Sequence, residues 1–317
     1  MNDDERALPQ CLSIAAVERD TGLSKDTLRV WERRYGFPRP KRDSAGDRAY
    51  PPEQVERLHV IRRLLDAGHR PGRIVALEPQ ALQALSAARP STPCGPPDAP
   101  ELGRYMDLIA RHDIHPLRRA LDQAALRLGL VRFVTTVVAP LNVAVGDEWM
   151  HGRFQVFEEH LYTECVTGVL RNAIGSIPPP LGAGAPRVVL TTFAQEAHGL
   201  GLLMAEALFA LEGCACLSLG TRTPMGDIVQ AAQAHNADVV ALSFTAALSP
   251  HVVVAGLRDL RRQLASRTAI WVGGQCPVLY QRAMPGILAV RALESIAGQI
   301  AHWRREERDA ALHAKGA

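Results

Sequence analysis

Apolar and polar positions alternate in three different ways along the 317-residue chain. Residues 12–88 have the pattern of short helices with charged faces, and residues 102–174 repeat apolar positions at helical spacing. From Arg187 onward, short β-branched runs are each followed by a stretch with helical periodicity. The pattern therefore predicts a helical N-terminal region, a helical bundle and an α/β region, in that order.

The middle region predicts a four-helix bundle. Its apolar blocks cover residues 102–112, 116–128, 131–151 and 156–174. Short breaks near Ile114, Gly129 and Gly152 separate the blocks, and four helices account for the length of the region.

The last region predicts an open parallel sheet. Strands are expected at residues 188–192, 214–219, 239–244, 269–272 and 287–290. Such sheets bind ligands beyond the carboxyl ends of their strands, so the loops that follow these strands are candidates for a site.

Two segments rich in proline and glycine, 89–100 and 177–186, separate the three regions. The predicted domains are therefore residues 1–88, 101–176 and 187–317. The fold class is multidomain, with α and α/β parts.

Composition is ordinary for a globular protein, with 47% hydrophobic and 22% charged residues. No run approaches 18 uninterrupted apolar residues, and residues 1–5 are acidic where a secretory signal is basic. A cytosolic protein without a membrane partner is expected. The six cysteines include no C-x-x-C pair, and Cys214 and Cys216 are expected to be buried as small apolar residues.

The N-terminal region has the pattern of a helix-turn-helix. Ser13 is placed to cap a first helix, residues 21–23 form a tight turn, and Ser24 is placed to cap a second helix over 25–35. In such a motif the second helix enters the major groove of DNA. The net charge of +3 is too small to argue for nucleic acid, so the distribution of charge must decide.

Cations are concentrated in and after the second helix. Residues 36–50 are punctuated by proline and glycine in the manner of a hairpin. The basic residues of the helix and hairpin are Arg29, Arg33, Arg34, Arg39, Lys41, Arg42 and Arg48. Their density fits a phosphate-binding surface.

The string T-L-R-V-W-E-R-R-Y-G-F-P-R-P-x-R-x-x-x-G-x-R-x-Y, from Thr27 to Tyr50, resembles the winged-helix DNA-binding domain of MerR-family regulators. The resemblance covers about residues 11–80 and implies double-stranded operator DNA as a partner. It implies that Lys25, Asp26 and Thr27 approach bases. The residues expected at the DNA backbone are Arg29, Arg33, Arg39, Arg42, Arg48 and Tyr50. The family's long dimerisation helix is missing after this domain, so dimerisation is expected elsewhere, in the ligand-binding part.

A histidine follows the first predicted strand of the α/β region. The segment is Glu196-x-His198-x-x-Gly201, and a helix with a strong apolar face begins near Gly199. A neutral imidazole held by a neighbouring carboxylate is a good ligand for a transition metal. Glu196 is the candidate for that carboxylate.

Two further motifs follow at fixed spacing. After Gly201 come 41 residues and then Ser243-x-Thr245, and 27 residues later comes Gly273-Gly274. This set resembles the signature D-x-H-x-x-G, S-x-L and G-G of cobalamin-binding Rossmann-like (flavodoxin-like) domains. The resemblance implies that His198 is the lower ligand of cobalt. It places the cofactor's nucleotide tail in a cleft lined by Ser243, Gly273 and Gly274. It also implies that the other motif residues bind the cofactor, namely Glu196, Gly199, Gly201 and Thr245. Glu196 replaces the family's Asp and Thr245 its Leu.

Within the predicted bundle, the string Trp149-x9-Glu159-His160 resembles the upper-face motif of light-responsive, adenosylcobalamin-binding MerR repressors of the CarH type. The resemblance implies that Trp149 packs against the upper adenosyl group and that the Glu-His pair encloses it. In that family a histidine that can bind cobalt after photolysis follows the tryptophan, and here the residue is Met150. His151 is the next candidate ligand, although a shift of one residue on a helix rotates the side chain by about 100°.

Together these resemblances imply an adenosylcobalamin-dependent repressor that forms a dimer or tetramer and that light releases from DNA. A cobalamin sensor that does not respond to light remains an alternative. A corrinoid-carrying methyltransferase or mutase subunit shares the bundle and the histidine loop, but it would lack the DNA-binding region and would need a barrel-sized substrate domain. A scaffold that has lost cofactor binding is the last alternative.

Overall fold

A computed structural model describes residues 11–43, 46–66, 68–87, 99–180 and 185–315. By contact, the chain divides into two units. The first comprises Met1–Thr92 together with Asp147–Arg153, and the second comprises Pro93–Gly146 and Phe154–Ala317. The end of the third bundle helix thus belongs to the first unit, whereas the sequence places it in the bundle domain.

The first unit is a helix-turn-helix followed by a small wing. Its elements are β1 (Leu12–Ser13), α1 (Ile14–Thr21), α2 (Lys25–Tyr35), β2 (Lys41–Arg42), β3 (Arg48–Tyr50), α3 (Pro52–Asp66), α4 (Pro71–Ile74) and α5 (Pro79–Ala87). The antiparallel sheet has the order β1-β3-β2, with Ser13 and Lys41 both paired to Ala49. The predicted hairpin is confirmed.

Both predicted helix caps are confirmed. The Ser13 hydroxyl accepts a hydrogen bond from the Ala16 N–H at 3.3 Å, and the Ser24 hydroxyl accepts one from Thr27 at 3.1 Å. Residues 71–87 form two helices, since α4 ends at Ile74 and α5 starts at Pro79. Proline disfavours helical geometry in the residue before it, so the chain breaks there.

Apolar side chains from every helix fill the core of the first unit. The buried core residues are Val17, Leu23, Leu28, Trp31, Phe37, Tyr50, Val55, Leu58, Ile61, Leu64, Ile74, Val75 and Leu82. The predicted linker over 89–100 lies outside the described residues, apart from its last two positions, with which the first bundle helix begins.

The bundle consists of α6 (Ala99–Ala110), α7 (Ile114–Leu128), α8 (Leu130–Arg132), a π-helical segment (Phe133–Val138), α9 (Ala139–Met150) and α10 (Val156–Gly175). The third predicted helix is therefore one continuous stretch, Leu130–Met150, with a π-helical middle. Pro140 lacks the N–H that would bond to the Thr136 carbonyl, and the shifted bonding register lies just before it.

Among the described helices, the stretch Leu130–Met150 alone has the length and apolar composition that a membrane span requires. Within the second unit, its first half packs against α7 and against a helix of the sheet domain. That helix is α11 (Leu200–Leu211), which also packs along α10. An ion pair joins these two helices, since Arg171 Nη1 donates to both carboxylate oxygens of buried Glu206 at 2.9 Å.

The α/β part contains five parallel strands, as the sequence predicts. With α11, its elements are β4 (Arg187–Phe193), β5 (Ala215–Thr223), α12 (Met225–Ala234), β6 (Val239–Phe244), α13 (Pro250–Gln263), β7 (Ala269–Gly274), β8 (Ile287–Ala289) and α14 (Ile296–Lys315). Short 3₁₀ turns cover Pro277–Tyr280 and Leu293–Ser295. Burial raises the pKa of the Cys214 and Cys216 thiols to about 12.

The strand order is β5-β4-β6-β7-β8. In chain order this is 2-1-3-4-5, the arrangement of flavodoxin-like sheets. The direction of winding reverses between β4 and β6, so the loops that follow these two strands diverge and leave a crevice. Ligands of open α/β sheets bind at such a switch point.

Candidate functional site

His198 lies in the loop after β4, next to the switch point. Its Nδ1 lies 2.6 Å from Glu196 Oε1, and its backbone N–H donates to the same oxygen at 3.0 Å. The His198 side chain is 47% exposed, whereas the Glu196 side chain is 1% exposed. The carboxylate therefore orients the imidazole from the protein side through Nδ1, as outer-shell carboxylates orient histidines that bind metals.

Thr245 completes the hydrogen bonding of Glu196 from the loop after β6. Its backbone N–H and its hydroxyl each donate to Glu196 Oε2 at 2.8 Å. Burial by itself raises the pKa of Glu196. The hydrogen bonds from the His198 ring and from the two backbone N–H groups, with the charge of His198, outweigh burial and lower the pKa to about 2. Glu196 is therefore an ionised, fully bonded carboxylate at neutral pH.

Thr192, which the sequence reasoning missed, fixes the backbone of this loop. Its buried hydroxyl donates to the Glu196 carbonyl at 2.7 Å and accepts from the Arg222 N–H at 2.9 Å. The Glu196 N–H also donates to the Phe193 carbonyl at 2.8 Å, which closes a turn at the end of β4. A polar residue at the end of an otherwise apolar strand was the available signal.

The motif glycines allow close approaches at the same edge of the sheet. A Cβ on Gly201 would lie 2.9 Å from Ser243 Oγ, so the first turn of α11 can sit directly on β6. Ser243 pairs in register with Gly273 on β7. Gly274 has φ +110°, and a Cβ there would lie 2.2 Å from a backbone oxygen, so only glycine fits. A Cβ on Gly199 would lie 3.1 Å from the Thr221 side chain.

The donor set suits a metal that brings most of its own ligands. Within the described part of the chain, no group of three His, Cys, Asp or Glu side chains is arranged to hold a metal ion. One oriented imidazole therefore fits a single axial position on a metal in a macrocycle, as proximal histidines do for haem. The residues present fit a corrinoid, and His198 is the residue that would hold its metal.

Of the predicted upper-face residues, Trp149, Met150 and His151 belong to the first unit. The Trp149 ring contacts the guanidinium of Arg63 on α3, with 5.7 Å from the guanidinium carbon to the ring centroid. The His151 Nδ1 lies 2.6 Å from the Asp147 carbonyl, so the ring donates this hydrogen bond within its own helix.

Glu159 and His160 lie near the start of α10, in the second unit. Glu159 Oε1 accepts from the Thr163 hydroxyl at 2.8 Å, and the exposed His160 ring lies 3.7 Å from Glu159 Oε2. The neighbouring Glu158, which the sequence reasoning missed, is buried. It accepts from the Gln155 backbone N–H at 2.6 Å and closes a capping box, and its Gln-x-x-Glu spacing was the available signal.

The residues that the sequence predicts to contact DNA lie on α2 and in the wing. Arg29 pairs with Asp26 at 3.3 Å on the exposed side of α2, and Thr27 bonds to the Ser24 hydroxyl. Lys25 lies 3.5 Å from Glu18.

The remaining cations are on α2, after it and in the wing. Arg33, Arg39 and Arg42 are exposed. Arg39 donates to the Gly36 carbonyl, and the Arg48 Nε donates to Glu32 at 2.8 Å.

Tyr50 requires a correction. Its side chain is fully buried in the core of the first unit, and its hydroxyl has no hydrogen-bond partner among the described residues. The expectation that Tyr50 contacts the DNA backbone is therefore wrong for this structure, because apolar packing by the ring takes precedence over exposure of its hydroxyl.

Comparison with known proteins bears on the whole chain. Residues 12–80 match the MerR HTH family regulatory protein, while residues 102–173 and 186–294 each match a B12 binding domain. Over 258 residues the chain is 33% identical to the HTH-type transcriptional repressor CarH of Myxococcus xanthus, covering 80% of this chain and 85% of CarH. The chain belongs to the CarH-type MerR regulators.

Similarity to a second CarH-type relative is of the same order. The HTH-type transcriptional repressor CarA of Myxococcus xanthus is 30% identical over 266 residues, covering 83% of this chain and 86% of CarA. The monomethylamine corrinoid protein of Methanosarcina barkeri superposes with a TM-score of 0.49 at 12% identity, covering 64% of this chain and 98% of that structure.

As a CarH-type MerR regulator, the chain is a DNA-binding transcriptional regulator with cobalamin-binding domains. The predicted fold class, a winged helix-turn-helix followed by a helical bundle and a Rossmann-like sheet, is confirmed.

Proposed function

We propose that this repressor is controlled by adenosylcobalamin and reset by light. The observation that carries the proposal is the pair His198 and Glu196, whose geometry matches an axial ligand and its orienting carboxylate. When bound, adenosylcobalamin supplies a cobalt–carbon bond that visible light can break. All other steps fall to the protein.

The role of the His198 loop is to hold the cofactor from below. Glu196 keeps Nδ1 engaged, which directs Nε2 toward the ligand position and increases its basicity. Thr245 and Thr192 restrain Glu196 and its backbone, so the ring has little rotational freedom. Ser243, Gly273 and Gly274 would line the cleft for the nucleotide tail, as the resemblance implies, and the missing side chains of the two glycines would leave room for it.

The roles of Trp149, Glu159 and His160 rest on the upper-face motif. Trp149 would pack against the adenosyl group, and the Glu-His pair would enclose its polar edge. Adenosine offers an aromatic face and hydroxyl groups, which an indole and a carboxylate recognise.

Control of DNA binding follows from mass action. A cofactor that holds several chains in one homo-oligomer, a dimer or tetramer, brings several winged domains to one operator. Multivalent attachment then raises DNA affinity without any new contact. If the chains of the oligomer separate, this multivalency is lost, and each winged domain would bind the operator only with its own affinity.

A second candidate is a cobalamin-responsive repressor that does not respond to light. Met150 favours it, because a methionine stands where the family has a histidine that can bind cobalt after photolysis. His151 is a poor substitute, since it lies one residue further along the helix, which rotates its side chain by about 100°.

The experiment compares the protein loaded in darkness with adenosylcobalamin or methylcobalamin, before and after green light. Absorbance, mass in solution and DNA affinity are measured for the wild type and for His198→Ala. We expect light to lower mass and DNA affinity in the adenosyl form, and His198→Ala to change the cobalamin spectrum. Binding without a light effect would support the second candidate, and an unchanged His198→Ala spectrum would refute the axial-ligand assignment.

A further inference from the structure

Trp149 and Arg63 form a contact that neither the DNA-binding motif nor the cobalamin motifs predict. Both residues belong to the first unit, Arg63 on α3 and Trp149 in the last turn of α9. The distance of 5.7 Å between the guanidinium carbon and the ring centroid lies within the range of cation–π attraction. The cation is thus held against the indole that we assign to the upper face.

The backbone around Trp149 is shaped to admit Arg63. Helix α9 ends in a Schellman motif, in which Gly152 donates to the Trp149 carbonyl at 3.0 Å and Arg153 donates to the Glu148 carbonyl at 2.9 Å. Gly152 has φ +73°, and a Cβ there would lie 2.8 Å from Arg63 Nη1. Glycine at this position suits the turn, because the turn requires a positive φ, and it leaves space for the end of the Arg63 side chain.

The Arg63 guanidinium is partly buried. Its Nε is buried without a hydrogen-bond partner among the described residues. Burial lowers the pKa of its guanidinium, which nonetheless remains charged at neutral pH. Its helix is anchored beneath it by Ile61 and Leu64, which are 0% and 2% exposed. The electron-rich face of the indole is accordingly the main compensation for a partly desolvated charge.

We propose that Arg63 is a positioning residue that couples Trp149 to the DNA-binding helices. The proposal rests on the proposed function, in which Trp149 faces the upper ligand. Helix α3 packs on α1 and α5 of the winged unit, so a change in the position of the indole is transmitted through Arg63 to the DNA-binding elements. By linkage, cofactor and DNA must then alter each other's affinity by the same factor.

The test measures that factor. Full-length protein is titrated with double-stranded DNA selected from a random pool by the cofactor-loaded wild type, in darkness, with and without adenosylcobalamin. The ratio of the two DNA affinities is the coupling factor. For Arg63→Met, which keeps an unbranched apolar chain but no charge, we expect the coupling factor to fall by roughly two- to thirtyfold. DNA affinity without cofactor and the cobalamin spectrum should stay as in the wild type.

Two further variants keep the test decisive. Arg62→Met removes the same charge from the next position, whose side chain points about 100° away around α3, and should keep the wild-type factor. Arg63→Lys keeps a cation without the planar guanidinium and should give an intermediate factor, which also covers the case that Arg63→Met does not fold. Full coupling in Arg63→Met, or a loss that appears equally in cofactor-free DNA binding, would overturn the proposal.

The wild type separates this inference from the proposed function. If adenosylcobalamin leaves wild-type DNA affinity unchanged, the proposed function fails. The positioning role is then judged by hydroxyl-radical oxidation of Trp149, which should rise in Arg63→Met and stay unchanged in Arg62→Met. An unchanged oxidation rate in Arg63→Met would overturn the positioning role independently.

Discussion

Exchanging Glu196 and Thr245 for the residues of the family signature tests whether the two departures compensate each other. Glu196 bridges two loops, with Oε1 bonded to His198 and Oε2 to Thr245. Aspartate is shorter by one methylene, roughly 1.5 Å, and can keep only one of these two sides within hydrogen-bonding distance. We therefore expect Glu196→Asp to weaken cobalamin binding by roughly 10- to 100-fold, the usual effect of removing an outer-shell partner.

Thr245→Leu should weaken cobalamin binding less than Glu196→Asp does, because the backbone N–H of residue 245 still reaches Glu196 Oε2 at 2.8 Å. One lost hydrogen bond to a charged acceptor corresponds to about 1.5 kcal/mol or more, or roughly tenfold in affinity. The double variant has aspartate at position 196 and leucine at position 245. Leucine has no hydroxyl that needs the longer carboxylate as an acceptor, so the aspartate has only His198 and the backbone N–H of residue 245 to bond. Affinity should return to within about fivefold of wild type, or 1 kcal/mol.

Each variant is titrated with adenosylcobalamin in darkness, and binding is monitored by the absorbance change that accompanies axial ligation. Thr135→Val is the matched control, because that hydroxyl donates only within its own helix, to the Val131 carbonyl at 3.0 Å. A double variant whose loss equals the product of the two single losses would refute the compensation, since it would show that the two sites act independently.

Four further predictions follow. The pKa of Glu196 is about 2 in the folded protein, whereas its ordinary value is 4.5. The ionised carboxylate therefore stabilises the fold by about 3 kcal/mol above about pH 4.5, and this stabilisation is lost as the pH falls toward 2. The free energy of unfolding, measured with urea, should decrease over this pH range in the wild type and change less in Glu196→Gln. An equal pH dependence in the two proteins would contradict this prediction. Gly274→Ala should lower unfolding free energy by about 2 kcal/mol or more through backbone strain and a clash, whereas Gly226→Ala, with open space, should not. Arg33→Ala should reduce the salt dependence of DNA binding by about one unit on the log-log plot, and an unchanged slope would remove it from the phosphate contacts. Tyr50→Phe should leave DNA affinity unchanged and stabilise the protein by about 1 kcal/mol, because it removes a buried hydroxyl without a partner; weaker DNA binding would restore Tyr50 to the interface.

The elements of the fold could be predicted because their signals are local. Ser13 and Ser24 stand immediately before the helices that they cap, and the β-branched run before His198 is the first strand of the sheet. The π-helical segment before Pro140 could not be predicted, since a change of bonding register leaves apolar periodicity nearly unaltered.

The pairing of His198 with Glu196 could be predicted from the sequence, but the residues that support the pair could not. His198 and Glu196 are two residues apart, and their pairing follows from local geometry. Thr245 is 49 residues from Glu196 in sequence, and the two meet because β4 and β6 are neighbours in the sheet. For Tyr50 the local motif was misleading. The motif places the Tyr50 hydroxyl at the surface, whereas packing against residues distant in sequence buries it.

The ion pair between Arg171 and Glu206 has a mechanical consequence. It ties α10, whose start carries Glu159, to α11, whose first turn directly follows His198. Glu206 is buried, so loss of this partner would leave an uncompensated charge in the interior. The two helices should therefore move together, and a displacement of the His198 loop would also displace Glu159 at the start of α10.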